Sequence, residues 1–171
     1  MSGRRKTGFT IVELLIVIVV IGIVATISLV SYSGVQSRAR DAIRIADSRS
    51  IITALELYKV QTGRYPNVAT NDPSGWEMSK YTPETFVNSL RIDAVINQAT
   101  PVDPINLDQM YYKYYRYPAG YANCDATRGA FYVFVVQRFE SKSGGGHGPG
   151  FSCSGRNWVS EGAWVTGGYT L

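Results

Sequence analysis

The spacing of apolar residues changes character twice along this chain. Between Phe9 and Val30 it has no period: sixteen of the 22 residues are Phe, Ile, Val or Leu, and Glu13 carries the only charge. About 20 residues at 1.5 Å rise span the roughly 30 Å hydrocarbon core of a bilayer, so the run is long enough to cross one. Lipid offers no partners to backbone N–H and C=O groups, which predicts a helix here despite a composition that favours strand in water. From Val35 onward the period becomes helical. Val35, Ala39, Ala42, Ile43, Ala46, Ser50, Leu57 and Val60 recur at offsets of three, four and seven, while Ile45, Ile52 and Leu55 mark a second, partial apolar face opposite. One helix is therefore expected from about residue 9 to about residue 60, packed on its own sheet on one side and on other copies on the other. Gly63 serves as its C-cap, and Tyr65-Pro66 forces an extended or turn backbone beyond.

Residues 63–108 read as a connecting region rich in Pro, Asn, Thr and Ser. One short helix is signalled there by Thr82 as cap, Pro83 in the first turn, and Phe86, Val87 and Leu90 behind. Residues 109–171 take the period of strands: MYYKYYRY from Met110, AFYVFVVQRF from Ala130 and NWVSEGAWV from Asn157, separated by turn clusters around Pro118–Gly120 and Ser143–Gly150. Three or four antiparallel strands are expected. A long helix followed by such a sheet is an α+β arrangement in which the sheet buries one face against the helix.

Charge orients the apolar run. Arg4, Arg5 and Lys6 precede it and no basic residue follows until Arg38, which places the N-terminus in the cytoplasm and the remainder outside. Sixteen strongly apolar residues contribute roughly −5 to −10 kcal/mol to insertion against about +3 for one carboxylate, so insertion proceeds with Glu13 ionised. A secretory signal has a shorter apolar region and a small-residue cleavage site after it, and a plain membrane anchor has no use for an acid within the span. Of the net charge of +4, three lie ahead of the run, so charge alone demands no nucleic-acid partner. Two cysteines and one histidine cannot furnish a structural zinc site and offer little to thiol catalysis. No catalytic residue, metal or cofactor is expected.

The run KTGFTIVELLIVIVVIG resembles the processing site and N-terminal helix of type IV prepilins and the related pseudopilins: a short basic leader, a glycine, Phe, then an apolar helix with a glutamate at its fifth position. The resemblance implies that residues 1–8 are a leader removed by a prepilin peptidase cutting between Gly8 and Phe9, and that Phe9 is then N-methylated. LYKVQTGRYP also resembles the segment closing the long helix of pilin-like proteins, extending the likeness to roughly the first 66 residues. Family members often carry proline where Val30 stands, at a kink that can melt in the filament. This chain keeps Gly22 but has no proline before Pro66, and Thr26 and Ser28 offer only a gentler bend by bonding back to carbonyls. Physical chemistry gives Glu13 a partner. After cleavage the Phe9 amine lies about one helical turn, roughly 6 Å, from Glu13, in surroundings where an unpaired charge is costly. A copy displaced along its axis brings its own Phe9 amine to Glu13, so Glu13 is expected to select and align incoming subunits.

Other candidates lie in the outer region. Cys124 and Cys153, an even pair in an oxidising location, suggest one disulfide, with two free thiols as the alternative. Asp103 and Asp108 could serve calcium, which some pseudopilins bind in a loop before their strands, but a turn with Asx caps fits their spacing better. GGGHGPG lacks the Lys-Ser/Thr of a phosphate loop, and His147 reads as a solvated loop residue. Alternation puts Tyr111, Lys113, Tyr115 and Tyr117 on one face of a strand and Tyr112, Tyr114 and Arg116 on the other. One face is core; the other could be a ligand platform for sugars or single-stranded nucleic acid such as DNA, with an ordinary sheet or subunit contact as the plainer reading.

The resemblance thus implies a pilin-like structural subunit of a type IV pilus, not an enzyme. Its organisation is a leader over 1–8, a membrane half of the helix over 9–30, an extracytoplasmic half over 31–62, then the connecting and sheet regions. It would be a membrane precursor and then part of an extracellular helical homo-oligomeric filament, built with pilus assembly machinery and serving adhesion, surface motility or DNA uptake. The alternatives are a pseudopilin of a secretion or competence system, and a single-span anchored binding module.

Overall fold

The computed structural model describes residues 8–69, 72–93, 95–97, 99–142 and 147–171, apart from the side chains of residues 28–31 and 92. Arg4, Arg5 and Lys6 of the expected leader, the Ser28 side chain, and residues 143–146 of the expected glycine-rich loop lie outside the described residues. The chain divides into two compact units, Met1–Arg38 and Ala39–Leu171, and α1 (Ile11–Thr62) contributes to both. The helix ends as its sequence predicts: Gly63 takes φ 74° and its N–H donates to the Lys59 carbonyl at 2.8 Å, a left-handed C-cap that glycine adopts without a Cβ penalty.

In the second unit α1 is followed by β1 (Glu77–Met78), α2 (Ser89–Ile92), β2 (Tyr112–Tyr117), β3 (Phe131–Val136), β4 (Ser152–Cys153), β5 (Arg156–Asn157) and β6 (Trp164–Tyr169). A four-stranded antiparallel sheet has the order β1-β2-β3-β6, and β4 with β5 forms a separate ribbon. Register sets Tyr112 opposite Val136 and Val136 opposite Trp164. Every residue of β3 is buried, because the sheet is covered on both faces. Tyr112, Tyr114, Tyr132, Phe134 and Val136 meet Ile51, Ala54, Leu55 and Tyr58 of α1, together with Phe86, Val87 and Leu90. The opposite face gathers Trp76, Tyr117, Phe131, Val133, Val135, Trp158 and Val165. Phe151 lies so close to β6 that a Cβ at Gly167 would sit 2.4 Å from its ring. Cys124 and Cys153 are joined by a disulfide across 29 residues at the edge of this second cluster, a closure that contributes about 3–4 kcal/mol on the chain-entropy model.

The face of α1 that meets the sheet carries Ile45, Ile52 and Leu55. The longer stripe of the sequence points the other way: Ala39, Ala42, Ala46 and Ser50 are exposed, as are Ile43, Leu57 and Val60, the last at 79%. Polar contacts reinforce the inward side. Arg44 is fully buried and forks onto Asp103, with Nε at 2.6 Å and Nη2 at 3.0 Å from its two oxygens, while Nη1 donates to Asp41 at 2.7 Å and to Glu140 at 2.8 Å. Arg40 adds a second bidentate grip on Glu140. Asp41 also accepts from the Glu140 and Ser141 N–H groups and the Ser141 hydroxyl. Burial pushes Asp41 up, but these hydrogen bonds and that from Arg44 hold it below the ordinary carboxylate value. Arg40 in turn holds Glu140 down.

Three features depart from the sequence pattern. The short helix expected behind Thr82 is divided into a 3-10 turn at Pro83–Thr85 and the four-residue α2, because Val87 between them adopts φ 43°. That strain costs about 1–3 kcal/mol and is tolerated where packing over-determines it. The last long strand begins at Trp164 rather than Asn157, since Val159–Glu161 is a 3-10 turn and Asn157 belongs to the ribbon. The two-residue β1 is too short to leave a periodic signal. Arg44→Ala leaves Asp41 and Asp103 buried without their cation and is expected to lower the unfolding free energy by about 3–5 kcal/mol. Arg44→Lys should recover part of it, and the wild type's advantage should fade on acidification as the depressed carboxyls protonate. Denaturant unfolding followed by tryptophan fluorescence checks this; a loss below about 1 kcal/mol would contradict the network's role.

Candidate functional site

In the first unit α1 exposes its apolar residues all round. Phe9 is 88% exposed, and the Ile, Val and Leu side chains from Ile11 to Ile27 are each half or more exposed. The helix is unbroken through Gly22 and Val30, and Thr26 returns its hydroxyl to the Ile23 carbonyl at 2.7 Å. Gly8 and Phe9 precede the helix outside regular secondary structure. Nothing lies within 4 Å of where a Cβ on Gly8 would stand, so packing within the chain makes no demand for glycine at that junction.

Glu13 occupies the first turn of α1 and closes a local ring with Thr10. Its Oε2 accepts from the Thr10 N–H at 2.8 Å and the Thr10 hydroxyl at 2.7 Å, and its own N–H donates to Thr10 Oγ1 at 3.2 Å. This is a capping box, with the acid also favourably placed at the positive end of the helix dipole. The Thr-x-x-Glu pattern ahead of an apolar run is a readable signal for it, so Glu13 has a local partner besides the Phe9 amine expected from its sequence. In this uncleaved chain the carboxylate is therefore satisfied locally, and a neighbouring amine would compete with Thr10 for it.

The tyrosine face offered as a possible ligand platform is largely covered. Lys113 and Tyr117 are buried, while Tyr111 and Tyr115 are partly buried. Trp76, from the connecting region, and Trp158, from the stretch expected as a strand that instead precedes a 3-10 turn, close over them: Trp158 is fully buried and its Nε1 donates to the Tyr117 hydroxyl at 3.1 Å. Trp76 packs against both Tyr115 and Tyr117. Lys113 lies 4.6 Å from the Trp76 ring centroid and 3.3 Å from Glu161, and burial lowers its pKa. The opposite face, carrying Tyr112 and Tyr114, is core as alternation requires.

Asp103 and Asp108 do not converge. Asp103 is committed to Arg44 and caps an Asx turn by accepting from the Ile105 and Asn106 N–H groups, whereas Asp108 is exposed. Among the described residues there is no group of three or more His, Cys, Asp or Glu side chains suited to a metal ion. His147 donates its N–H to the Ala163 carbonyl and lies 5.7 Å from the Phe139 ring.

Residues 3–29 match the prokaryotic N-terminal methylation motif. The type II secretion system core protein G of Pectobacterium carotovorum subsp. carotovorum is 35% identical over 66 residues, 39% of this chain and 42% of that protein. Its counterpart from Aeromonas hydrophila is likewise 35% identical over 66 residues, 46% of its own length. The Vibrio cholerae serotype O1 counterpart is 32% identical over 114 residues, covering 63% of this chain and 71% of that protein. The aligned segment thus spans less than half of the first two relatives. No solved structure matches the chain. Because the Tyr117 ring is enclosed by aromatic neighbours, Tyr117→Ala is expected to cost about 3–5 kcal/mol in denaturant unfolding; a change below about 1 kcal/mol would mean that the face is open.

Proposed function

The chain belongs to the type IV pilin-like family, and on that premise we propose that it is a pseudopilin: a filament subunit of a secretion machine, processed at Gly8-Phe9 and assembled through its N-terminal helix. The observation that carries this reading is the exposed apolar surface of α1 from Ile11 to Ile27, together with an acid in its first turn. A monomeric anchor would need lipid on the first unit alone. Here the second unit also leaves Ala39, Ala42, Ile43, Ala46, Leu57 and Val60 outward, a face suited to other helices. The relatives are named for type II secretion, which favours the pseudopilin over the surface pilus serving adhesion, motility or DNA uptake.

Glu13 then has successive partners. In the precursor it caps the helix through Thr10; after cleavage the Phe9 amine of a neighbouring copy replaces Thr10 at the carboxylate, exchanging hydrogen bonds from neutral donors for an ion pair in low dielectric. The exchange adds free energy only when a second subunit is present at the correct axial step. Glu13→Ala should therefore insert and be cleaved normally yet reduce filament yield at least tenfold in sheared-filament assays. Thr10→Ala, which loses only the cap, should assemble. Equal filament yield for Glu13→Ala and wild type would overturn the role, and a chain-deletion strain that exports its proteins normally but loses surface attachment would favour the pilus reading.

A further inference from the structure

One edge of the four-stranded sheet is only partly closed. β6 stands last in the order β1-β2-β3-β6. The Thr170 N–H bonds Ala130 across the ladder, so by alternation the carbonyls of Ala163, Val165, Gly167 and Tyr169 form a row that faces away from β3. The ends of the row are served. The His147 N–H donates to Ala163 at 2.9 Å and the Gly150 N–H to Val165 at 2.8 Å, so residues 147–150 run alongside β6, while the Tyr65 hydroxyl donates to Tyr169 at 3.1 Å. After Gly150 the chain turns off into β4, and among the described residues no donor reaches the Gly167 carbonyl. A cleft of about 460 Å³ lies at this gap, bounded by Arg128, Phe151, Ser152, Gly167 and Tyr169, a volume in the range of ligand sites.

We propose that this cleft takes an extended peptide segment of another protein by edge pairing, its main chain bonded to the Gly167 carbonyl and N–H and an Asp or Glu of the segment paired with Arg128. The chain's own residues 147–150 already pair with this edge, which makes the next position along it a template for a further strand. The rings of the cleft are engaged among themselves. The Arg128 guanidinium lies 3.9 Å from the Tyr169 ring centroid, and Phe151 packs on Phe131, Trp158 and Tyr169. A sugar or base would have to displace these contacts in order to stack. Main chain and positive charge are what remain on offer. Arg128 is exposed and forms no ion pair among the described residues. The acid that feels its charge, Asp125, accepts from the Thr127 N–H and hydroxyl as the cap of the turn ahead. A guanidinium set against a ring still has its edge N–H donors for a carboxylate, and two of them can be met at once. The site lies within the second unit and stands whether or not the N-terminal helix assembles.

The test is amide NMR of the isotope-labelled full chain in detergent micelles, titrated with the capped peptide Thr-Val-Glu-Val-Thr. The Gly167 and Tyr169 amides should shift most, saturating with a dissociation constant at or below about 1 mM, and hydrogen exchange at Gly167 should slow about fivefold or more. Replacing the peptide's Glu by Gln should weaken binding about three- to tenfold, Arg128→Gln should weaken the Glu peptide by the same factor, and the Gln peptide should not distinguish the variant from the wild type. A Glu peptide at about 5 mM that moves neither amide, or a Gln peptide that binds as well as the Glu peptide, would overturn the site. Both are read on the wild-type chain and stand even if the variant failed to fold. Protection of Gly167 that grows with chain concentration in the absence of peptide would give the edge to a second copy and overturn the proposal as well.

Discussion

A guanidinium without exposed surface sits at the middle of the second unit. Arg44 has three carboxylates around it, contributed by its own helix, by the segment before β2 and by the segment after β3. Apolar contacts alone would let the helix roll on the sheet, because Ile, Leu and Ala surfaces are tolerant of small rotations. A forked charge pair is not tolerant, since losing its geometry leaves ions buried and unpaired. The network therefore fixes which face of α1 looks inward, and by elimination which face is left outward.

That choice of face links packing to assembly. The inward side carries Ile51, Leu55 and Tyr58 onto the sheet. The outward side carries the small residues Ala39, Ala42 and Ala46 beside Ile43, Leu57 and Val60, where a soluble helix would place more charges. Neither surface is wasted if the helix is shared between the chain's own domain and its neighbours. At the other end of the helix Glu13 serves the cap, and on the proposed processing the same carboxylate would meet a neighbouring amine.

Much of this was legible in the residues. The apolar run, the helical stripe, the Gly63 cap, the cores of β2 and β3 and the α+β order follow from periodicity and turn chemistry. What escaped has a common physical cause: it depends on pairings far apart in the chain. Trp158 reaches Tyr117 across 41 positions and Glu140 reaches Arg44 across 96, so the covering of the tyrosine face and the burial of Arg44 leave no local pattern. Val87 breaks the short helix because its N–H is drawn to Glu77, ten positions back, against its own steric preference. Local signals set the elements; long-range polar contacts decide which surfaces stay open. Hence the Thr10–Glu13 cap, built within one turn, has a local signal in the sequence, and the covering of the tyrosine face has none.

The central claim is that the chain is a processed subunit whose new N-terminus enters the filament. Intact-mass and N-terminal analysis of the protein recovered from the envelope of its native cells tests this most directly. A processed, disulfide-closed subunit begins at N-methylated Phe9 and gains the mass of two hydrogens on reduction. A chain still beginning at Met1 or Ser2 in the assembled fraction would contradict it.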